Sequence, residues 1–326
     1  MGKKKIAITM GDPAGIGPEI IVKALTSDKI KGKIIPVVVA GRNVMEEAVM
    51  LVNADIEFVE DTEKGFTELS GNMVYLADTG NTPDFPKSGT TGEGGEASVK
   101  CIKKAVEMCM KREVDAMVTA PISKEAVHLA GYGWPGHTEM LAEFTGAERV
   151  SMMFLGERLK VILVTIHTSL RNAVNMISEQ SVAGTIRTAL EACRNLSIES
   201  PRIAVAGLNP HAGEGGLFGN EEELHIIPAI EKERAEGINV AGPFPPDIVF
   251  KKALEDEFDI VVAMYHDQGL IPFKLMHFDS GVNVTIGLPV IRTSPDHGTA
   301  CDIAWKGVAN PSSMIEAILV AERMKL

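Results

Sequence analysis

Short apolar segments alternate with longer amphipathic segments along the chain, and this alternation restricts its fold more than any other feature. The apolar segments are rich in valine and isoleucine, and several are apolar on both faces, as in strands buried between two helix layers of a parallel sheet. Strands are predicted at residues 5–9, 34–40, 115–119, 160–166, 202–207 and 259–264. Helices are predicted at residues 15–26, 93–112, 123–131, 179–195, 221–235 and 312–325. The repeated strand-then-helix order predicts an α/β fold.

The composition excludes several classes of protein. The chain has 326 residues, 45% hydrophobic and 23% charged, so it can bury a sizeable core in about two domains. A net charge of −12 argues against a broad nucleic-acid surface. No apolar run approaches the roughly 18 residues that span a bilayer, and the first apolar run is too short for a signal peptide. With four cysteines and no CxxC pair, we expect reduced thiols and a cytoplasmic protein without membrane or nucleic-acid partners.

Three glycine-rich loops follow predicted strands, at residues 9–19, 208–222 and 264–269. Ligand sites in open α/β sheets lie at the carboxyl ends of strands, so these loops are expected to share one cleft. The alternative for each loop is that its glycines only make turns. The glycines of residues 9–19 do not form GxGxxG, and the chain has no GxxxxGK[ST]. A dinucleotide would therefore bind in another way.

The segment SPDHGTACDIAWKGVANP (residues 294–311) resembles the cofactor loop of isocitrate and isopropylmalate dehydrogenases, in which a similar string wraps the adenosine part of the dinucleotide. Cys301 stands where that string has proline, and Trp305 stands where it has glycine. We expect NAD or NADP here, and the lack of a clear basic cluster for a 2′-phosphate favours NAD. The alternative is an ordinary loop before the last helix. The residues that match in type and spacing are His297, Gly298, Thr299, Ala300, Asp302 and Asn310.

Three histidines, His167, His211 and His266, follow apolar strands or lie in the loops behind them. Strand ends can converge in space, and three neutral imidazoles with an open position make a catalytic divalent-metal site. Imidazole suits Zn, Co, Ni or Fe, whereas carboxylate and water suit Mn or Mg. Asp267 could orient His266 from outside the ligand set. On spacing alone, a lone histidine is more often a hydrogen-bonded structural residue than a metal ligand.

A second group of residues predicts a pocket for a small anion. His137 and Thr138 follow a Pro-Gly turn and begin a predicted helix, whose N-terminus offers N–H groups and a positive dipole end. Lys274, Asn283 and Arg292 come later, and arginine can bind phosphate or carboxylate with two hydrogen bonds. The alternative is that these cations are solvated surface residues and that Thr138 caps a helix.

These motifs together are similar to one family, the 4-hydroxythreonine-4-phosphate dehydrogenases of the vitamin B6 pathway, from end to end. The resemblance implies that His167, His211 and His266 bind a divalent metal. It also implies substrate contacts from His137, Thr138, Lys274, Asn283 and Arg292, the residues of the predicted anion pocket. The strings that carry the resemblance are TMGDPAGIGPE, VTAPISKEAVHLAG, GHTEML, NPHAGEGG, MYHDQG, GVNVTIGLP and IRTSPDHGTA.

The resemblance also implies an architecture. We expect two α/β/α domains like those of isocitrate and isopropylmalate dehydrogenases, with the active site in the cleft between them. The first domain, which carries the cofactor loop, is expected at residues 1–128 plus 290–326. The second, which carries the metal site and the dimerisation surface, is expected at residues 129–289. A homodimer is implied, with active sites near the dimer interface.

The implied reaction is metal-dependent, NAD(P)-linked oxidation of a phosphorylated β-hydroxy acid, followed by loss of CO₂. One branch of the family converts 4-phosphooxy-L-threonine to 3-amino-2-oxopropyl phosphate. A closely similar branch converts 4-phospho-D-threonate or 4-phospho-D-erythronate to dihydroxyacetone phosphate, and residues 128–141 and 298–307 look more like that branch. Lys274 and Asp247 are both candidates for the base that takes the hydroxyl proton.

Two other classes of function compete with this interpretation. A phosphotransacetylase-like acyltransferase would share a distantly similar fold, but it would need neither metal-binding histidines nor a nicotinamide loop. A phosphometabolite-binding module would need the cations of the pocket but no metal and no dinucleotide. A third activity related to the family, on a cyclic diol carboxylate, lacks the phosphate that the anion pocket predicts.

Overall fold

The computed structural model describes residues 2–60, 65–82 and 87–326. Its strands are numbered in chain order. They are β1 Lys4–Thr9, β2 Ile34–Ala40, β3 Glu57–Val59, β4 Met73–Asp78, β5 Ala116–Thr119, β6 Ser151–Leu155, β7 Lys160–Leu163, β8 Ile203–Ala206, β9 Val240–Phe244, β10 Ile260–Ala263, β11 Val282–Ile286 and β12 Ile291–Pro295.

The helices are numbered in the same way, and a short 3₁₀ turn and a π turn lie between α7 and α8. The helices are α1 Gly17–Leu25, α2 Arg42–Leu51, α3 Gly92–Met110, α4 Lys124–Leu129, α5 His137–Thr145, α6 Leu170–Met176, α7 Glu179–Asn195, α8 Ile227–Ala235, α9 Pro246–Leu254, α10 His266–His277 and α11 Ser312–Arg323. The 3₁₀ turn is Pro210–Gly213 and the π turn is Glu222–Ile226. Among these described helices, none has the length and apolar character needed to cross a membrane.

The chain divides into two compact units, and the first contains residues 1–150 and 288–324. The second unit contains residues 151–287. The chain leaves the first unit later than the expected boundary at residue 128, because α4 and α5 pack against α3 of that unit. It returns at residue 288, close to the expected residue 290.

The first unit is built on parallel strands in the order β3-β4-β2-β1-β5-β12. Ile8 of β1 pairs in register with Val38 on one side and with Val118 on the other. All three side chains are fully buried, as expected for strands covered on both faces. This sheet confirms the predicted strands at 5–9, 34–40 and 115–119 and the α/β fold class.

The second unit has the strand order β11-β6-β7-β10-β8-β9. β7, β10, β8 and β9 are parallel, whereas β6 runs antiparallel to both β7 and β11. The expectation of a parallel sheet is therefore wrong for β6. Only a four-residue turn, closed by Gly156 N donating to Leu159 O at 2.9 Å, joins β6 to β7, and such a short link can connect only antiparallel strands. The unit's core includes Phe154 of β6 packed on Phe273 of α10, with ring centroids 5.7 Å apart.

One predicted helix takes a different form in the structure. The helix expected at 221–235 is a π turn followed by α8. Pro228, at the start of α8, has no N–H for the helical hydrogen-bond ladder, which accounts for the change of winding.

Candidate active site

The proposed cofactor loop, residues 297–310, packs against the glycine-rich loop that follows β1. Ile16 N donates to Thr299 O at 3.0 Å. A Cβ on Gly15 would lie 2.9 Å from the Cβ of Thr299, so this close approach requires glycine. The loop after β1 and the cofactor loop, which are far apart in the sequence, therefore pack against each other in the first unit.

Glu19, in the first turn of α1, fixes the far end of the cofactor loop. Its buried carboxylate accepts hydrogen bonds from Ala309 N at 2.7 Å and Gly307 N at 3.2 Å. Lys23, one helical turn later, pairs with the same carboxylate at 2.7 Å and donates to Ala309 O at 2.8 Å. The sequence alone does not predict this role, because the partners of Glu19 lie 288 and 290 residues further along the chain.

The cofactor loop offers groups that suit a dinucleotide. Across the residues that the structure describes, His297 Nε2 is buried without a hydrogen-bond partner, which suits a ligand group. Gly298 is exposed, with open space where its Cβ would stand, so a ligand can approach the backbone. Asp302 is exposed, whereas Asn310 Oδ1 accepts from Ser312 N at 3.0 Å at the start of α11. The residues fit the group, although Asn310 already serves the helix.

Arg292, Thr119 and His137, three residues of the first unit, are linked by hydrogen bonding and by charge. Arg292 on β12 is buried and donates to Thr119 Oγ1 from Nη2 at 2.7 Å and from Nε at 3.2 Å. Burial lowers the pKa of Arg292 to about 9, so its guanidinium is still charged at neutral pH. His137 Nε2 is buried and has no partner among the described residues. A buried cation beside an unpartnered imidazole nitrogen is an environment that an anion stabilises.

The charge around His137 comes from two cations, only one of which was predicted. Burial, and then the positive charges of Arg292 and Lys124, hold the pKa of His137 well below 6.5. Lys124 begins α4, and a Cβ on Gly136 would lie 3.7 Å from its Cε. The imidazole is therefore neutral at neutral pH. Thr138, also buried, follows His137 in the first turn of α5, which confirms the predicted helix start.

His167 and His266 come together in the second unit because they follow neighbouring parallel strands. Leu163 of β7 pairs with Ala263 of β10, and the two histidine rings beyond them have centroids 5.9 Å apart. Both residues line a cavity of about 420 Å³. His266 Nδ1 lies 2.7 Å from Asp267 Oδ1, so this carboxylate orients the ring and leaves Nε2 for a metal. These two imidazoles fit a divalent metal site.

His211 lies on the Pro210–Gly213 turn, and its backbone is left-handed with φ +54°. Buried Glu222 shapes this turn by accepting from Leu208 N at 2.8 Å and Asn209 N at 2.7 Å. Within residues 2–60, 65–82 and 87–326, no three His, Cys, Asp or Glu side chains are grouped as metal ligands. The structure thus joins His167 to His266, and the role of His211 stays a prediction.

The remaining predicted residues lie elsewhere in the second unit. Lys274 is eight residues after His266 on α10, about 12 Å along the helix axis. Asn283 is on β11, and its buried Oδ1 has no partner in the described part of the chain. Asp247 is exposed in the first turn of α9, where a carboxylate stabilises the helix dipole. Among the described residues, neither candidate base lines the cavity beside His167 and His266.

The chain is similar to known proteins over nearly its whole length. The family model described as pyridoxal phosphate biosynthetic protein PdxA matches residues 33–321. A 4-hydroxythreonine-4-phosphate dehydrogenase of Trichlorobacter lovleyi is 45% identical, over 99% of this chain and 98% of that protein. A D-threonate 4-phosphate dehydrogenase of Salmonella typhimurium is 44% identical, over 99% of this chain and all of that protein.

A solved structure gives the same relationship. The crystal structure of a 4-hydroxythreonine-4-phosphate dehydrogenase from Klebsiella pneumoniae has a TM-score of 0.90 and 43% identity, and 98% of each chain is covered. Sequence and structure agree, and the chain belongs to the PdxA family.

Proposed function

We propose that this protein is a metal-dependent, NAD(P)-linked dehydrogenase that oxidises and decarboxylates a phosphorylated β-hydroxy acid. Membership of a family whose relatives are named dehydrogenases supports the reaction class. The structural observation that carries the substrate class is the buried Arg292 guanidinium beside the unpartnered Nε2 of His137. An acyltransferase or a simple binding module would not need the histidine pair and the cofactor loop as well.

The substrate phosphate is proposed to sit at Arg292, His137 and Thr138. Arg292 supplies charge, and its hydrogen bonds to Thr119 hold the guanidinium in place. The neutral imidazole of His137 can donate one hydrogen bond to a phosphate oxygen. The N-terminus of α5 adds backbone N–H groups, because Gly136 at its start has no side chain to cap them. Asn283 and Lys274 remain proposed substrate contacts.

The divalent metal is proposed to be held by His167, His211 and His266. The shared cavity and the Asp267–His266 hydrogen bond support the first and last of these. When bound, a divalent ion supplies Lewis acidity that lowers the pKa of the substrate hydroxyl. Imidazole ligands favour Zn, Co or Ni over Mn or Mg.

The chemistry requires a hydride acceptor and a base. A nicotinamide held by the cofactor loop would supply the hydride acceptor, and Lys274 or Asp247 would take the hydroxyl proton of the substrate. The resulting β-keto acid loses CO₂, and the carbon that carried the carboxylate takes up a proton. The cofactor is proposed to bind the loop at His297, Gly298, Thr299, Ala300, Asp302 and Asn310.

The substrate proposed first is 4-phospho-D-threonate or 4-phospho-D-erythronate, with dihydroxyacetone phosphate and CO₂ as products. Residues 128–141 and 298–307 support it. The second candidate is 4-phosphooxy-L-threonine, with 3-amino-2-oxopropyl phosphate and CO₂ as products, and the relative of that activity at 45% identity supports it.

Activity assays with the two candidate substrates test this proposal. Purified, metal-supplied protein is given NAD⁺ or NADP⁺ and each substrate separately, and reduced nicotinamide is followed by absorbance. Turnover of the phosphorylated sugar acid alone supports the first substrate, and turnover of the amino substrate alone supports the second. Absence of turnover with both, across Zn, Co, Ni, Mn and Mg, overturns the proposed function.

A homodimer is also proposed. On α10 and just after it, Ile271, Leu275 and Phe278 are 61%, 81% and 75% exposed. Their spacing of four and three residues places them on one side of the helix. A cluster of exposed apolar side chains is typical of an interface, and a second copy of this chain is the partner that the family resemblance implies.

The cysteines bear on the proposed cytoplasmic location. All four thiols are free, and Cys101, Cys109 and Cys193 are buried. Burial raises the pKa of each of these three to about 12, so they are unreactive. Free thiols are compatible with a reducing compartment.

A further inference from the structure

Trp305 occupies a backbone conformation that favours glycine. Its φ is +59°, in the left-handed region, and the related cofactor-loop string has glycine at this position. A bulky residue persists in such a conformation only when its surroundings compensate for the strain. The contacts of the indole should therefore matter to the cofactor loop.

Those contacts join three segments of the first unit. Trp305 Nε1 donates to Pro13 O at 2.9 Å, and Lys87 Nζ lies 3.9 Å from the centre of the indole ring. Ser88, next to Lys87, donates from its backbone N–H to Ala14 O at 3.1 Å. Its hydroxyl donates to the carbonyl oxygen of Ala304, the residue before Trp305, at 3.4 Å. The indole, the loop after β1 and residues 87–88 thus form one cluster.

The cluster holds the middle of the cofactor loop. Ile16 binds Thr299 near one end of the loop, and Glu19 binds Gly307 and Ala309 near the other. The indole lies between these anchors. A loop already held in its binding conformation loses less conformational entropy when a ligand binds.

We propose that Trp305, covered by Lys87, is a positioning residue that clamps the cofactor loop onto residues 13–16 and thereby raises the affinity for the dinucleotide. The inference rests on the proposed binding of NAD(P) at this loop. Trp305 acts through the loop backbone and takes no part in the hydride transfer. Lys87 also pairs with Glu47, which keeps its ammonium over the ring.

The test is calorimetric titration of NAD⁺ into the full-length protein and its variants, with kinetics alongside. Loss of one hydrogen bond and one cation–π contact in Trp305→Gly should weaken NAD⁺ binding about tenfold. Trp305→Phe keeps an aromatic ring and loses the indole N–H, so we expect it to bind NAD⁺ about threefold more weakly. Lys87→Met should also weaken binding about threefold, and Lys87→Arg should restore it, since arginine makes the same cation–π contact.

The kinetic pattern separates positioning from general damage. We expect the KM for NAD⁺ to rise in Trp305→Gly, while kcat at saturating NAD⁺ and the KM for the hydroxy acid stay at the parent values. If Trp305→Gly binds NAD⁺ as tightly as the parent protein, the clamp is overturned. If that variant does not fold, parent affinity for NAD⁺ in both Trp305→Phe and Lys87→Met overturns it. The clamp is also overturned if Trp305→Gly lowers kcat and the affinity for the hydroxy acid as much as it lowers the affinity for NAD⁺. If the parent protein binds neither NAD⁺ nor NADP⁺, the proposed cofactor site fails first, and the clamp fails with it.

Discussion

At the scale of single residues, the anion pocket shows how burial sets the chemistry of a side chain. His137 has a predicted role that depends on its charge, and burial together with two nearby cations keeps its imidazole neutral. A neutral imidazole donates one hydrogen bond and adds no charge, so the positive charge beside His137 comes from Arg292 and Lys124. Arg292 and Lys124 therefore supply charge, and His137 supplies a hydrogen bond.

The pKa of His137 leads to a pH prediction. Since the folded-state pKa lies well below 6.5, the imidazole should be neutral at pH 6 in the ligand-free protein. The unfolded chain takes up this proton more readily, so His137 makes folding less favourable as the pH falls below 6.5, and His137→Gln should remove that contribution. NMR of the histidine ring signals measures the titration, with exposed His128 as an internal control. A His137 that is protonated at pH 7 would contradict the account.

The proposed metal ligands give a second prediction at this scale. His266→Ala and His211→Ala should each weaken Zn²⁺ or Co²⁺ binding by about 100-fold or more, since even residues that only orient a ligand are worth 10–100-fold. Isothermal titration measures the affinity, and His128→Ala on the exposed surface is the matched control. If His211→Ala binds the metal as tightly as the parent protein, His211 is not a ligand. The structure pairs only His167 with His266.

Residue types pointed to some members of this group of side chains and not to others. His137, Thr138 and Arg292 stood out because their types suit an anion. Lys124 and Thr119 did not, because a lysine at a helix start and a threonine at a strand end are ordinary surface and core residues. Their roles come from tertiary packing, which only the structure shows.

At the scale of elements, strands with continuous valine and isoleucine were predicted well, and helices with unusual composition were not. α10 begins with the polar residues of the metal motif and contains Pro272, which hides its helical pattern. β3 has only three residues, and β9 contains a Gly-Pro pair, so neither strand has a strong apolar run. Each predicted glycine-rich segment follows its strand, β1, β8 or β10, but the segment at 264–269 is a loop only at residues 264–265, because α10 begins at His266.

The contact between the loop after β1 and the cofactor loop gives a prediction on glycine. Gly15→Ala would press a methyl group against Thr299, so it should cost about 1–3 kcal/mol of unfolding free energy and weaken NAD⁺ binding. Gly184 lies inside α7 with open space around it, and Gly184→Ala should stabilise the protein by about 0.5–1 kcal/mol. Urea unfolding measures both. Equal stability changes in the two variants would argue against the close packing at Gly15.

At the scale of the whole molecule, two compact units share one chain that starts and ends in the first. The discontinuous layout could be expected from the family resemblance, but the first boundary could not be placed from composition. α4 and α5 lie in a stretch with no linker-like sequence, and their packing on α3 decides where they belong. The antiparallel β6 and β11 likewise depend on pairing that the apolar pattern does not encode.

Dimerisation gives the prediction at this scale. Leu275→Glu places a charge in the exposed apolar cluster of α10 and should convert a dimer to monomers, because an interface core excludes unpaired charge. Light scattering after size-exclusion chromatography measures the mass. Met50→Glu, at a residue that is 72% exposed on α2, is the control and should leave the mass unchanged. A monomeric parent protein, or a dimeric Leu275→Glu variant, would contradict the proposed interface.

The central claim is that the enzyme oxidises and decarboxylates a phosphorylated hydroxy acid. Its most direct test is to give metal-supplied protein and NAD⁺ a 4-phospho-D-threonate labelled in the carboxylate, and to measure NADH and labelled CO₂ together. We predict one CO₂ for each NADH, loss of both after chelation, and no turnover of the same acid without its phosphate. NADH without CO₂, or equal turnover of the unphosphorylated acid, would contradict the account.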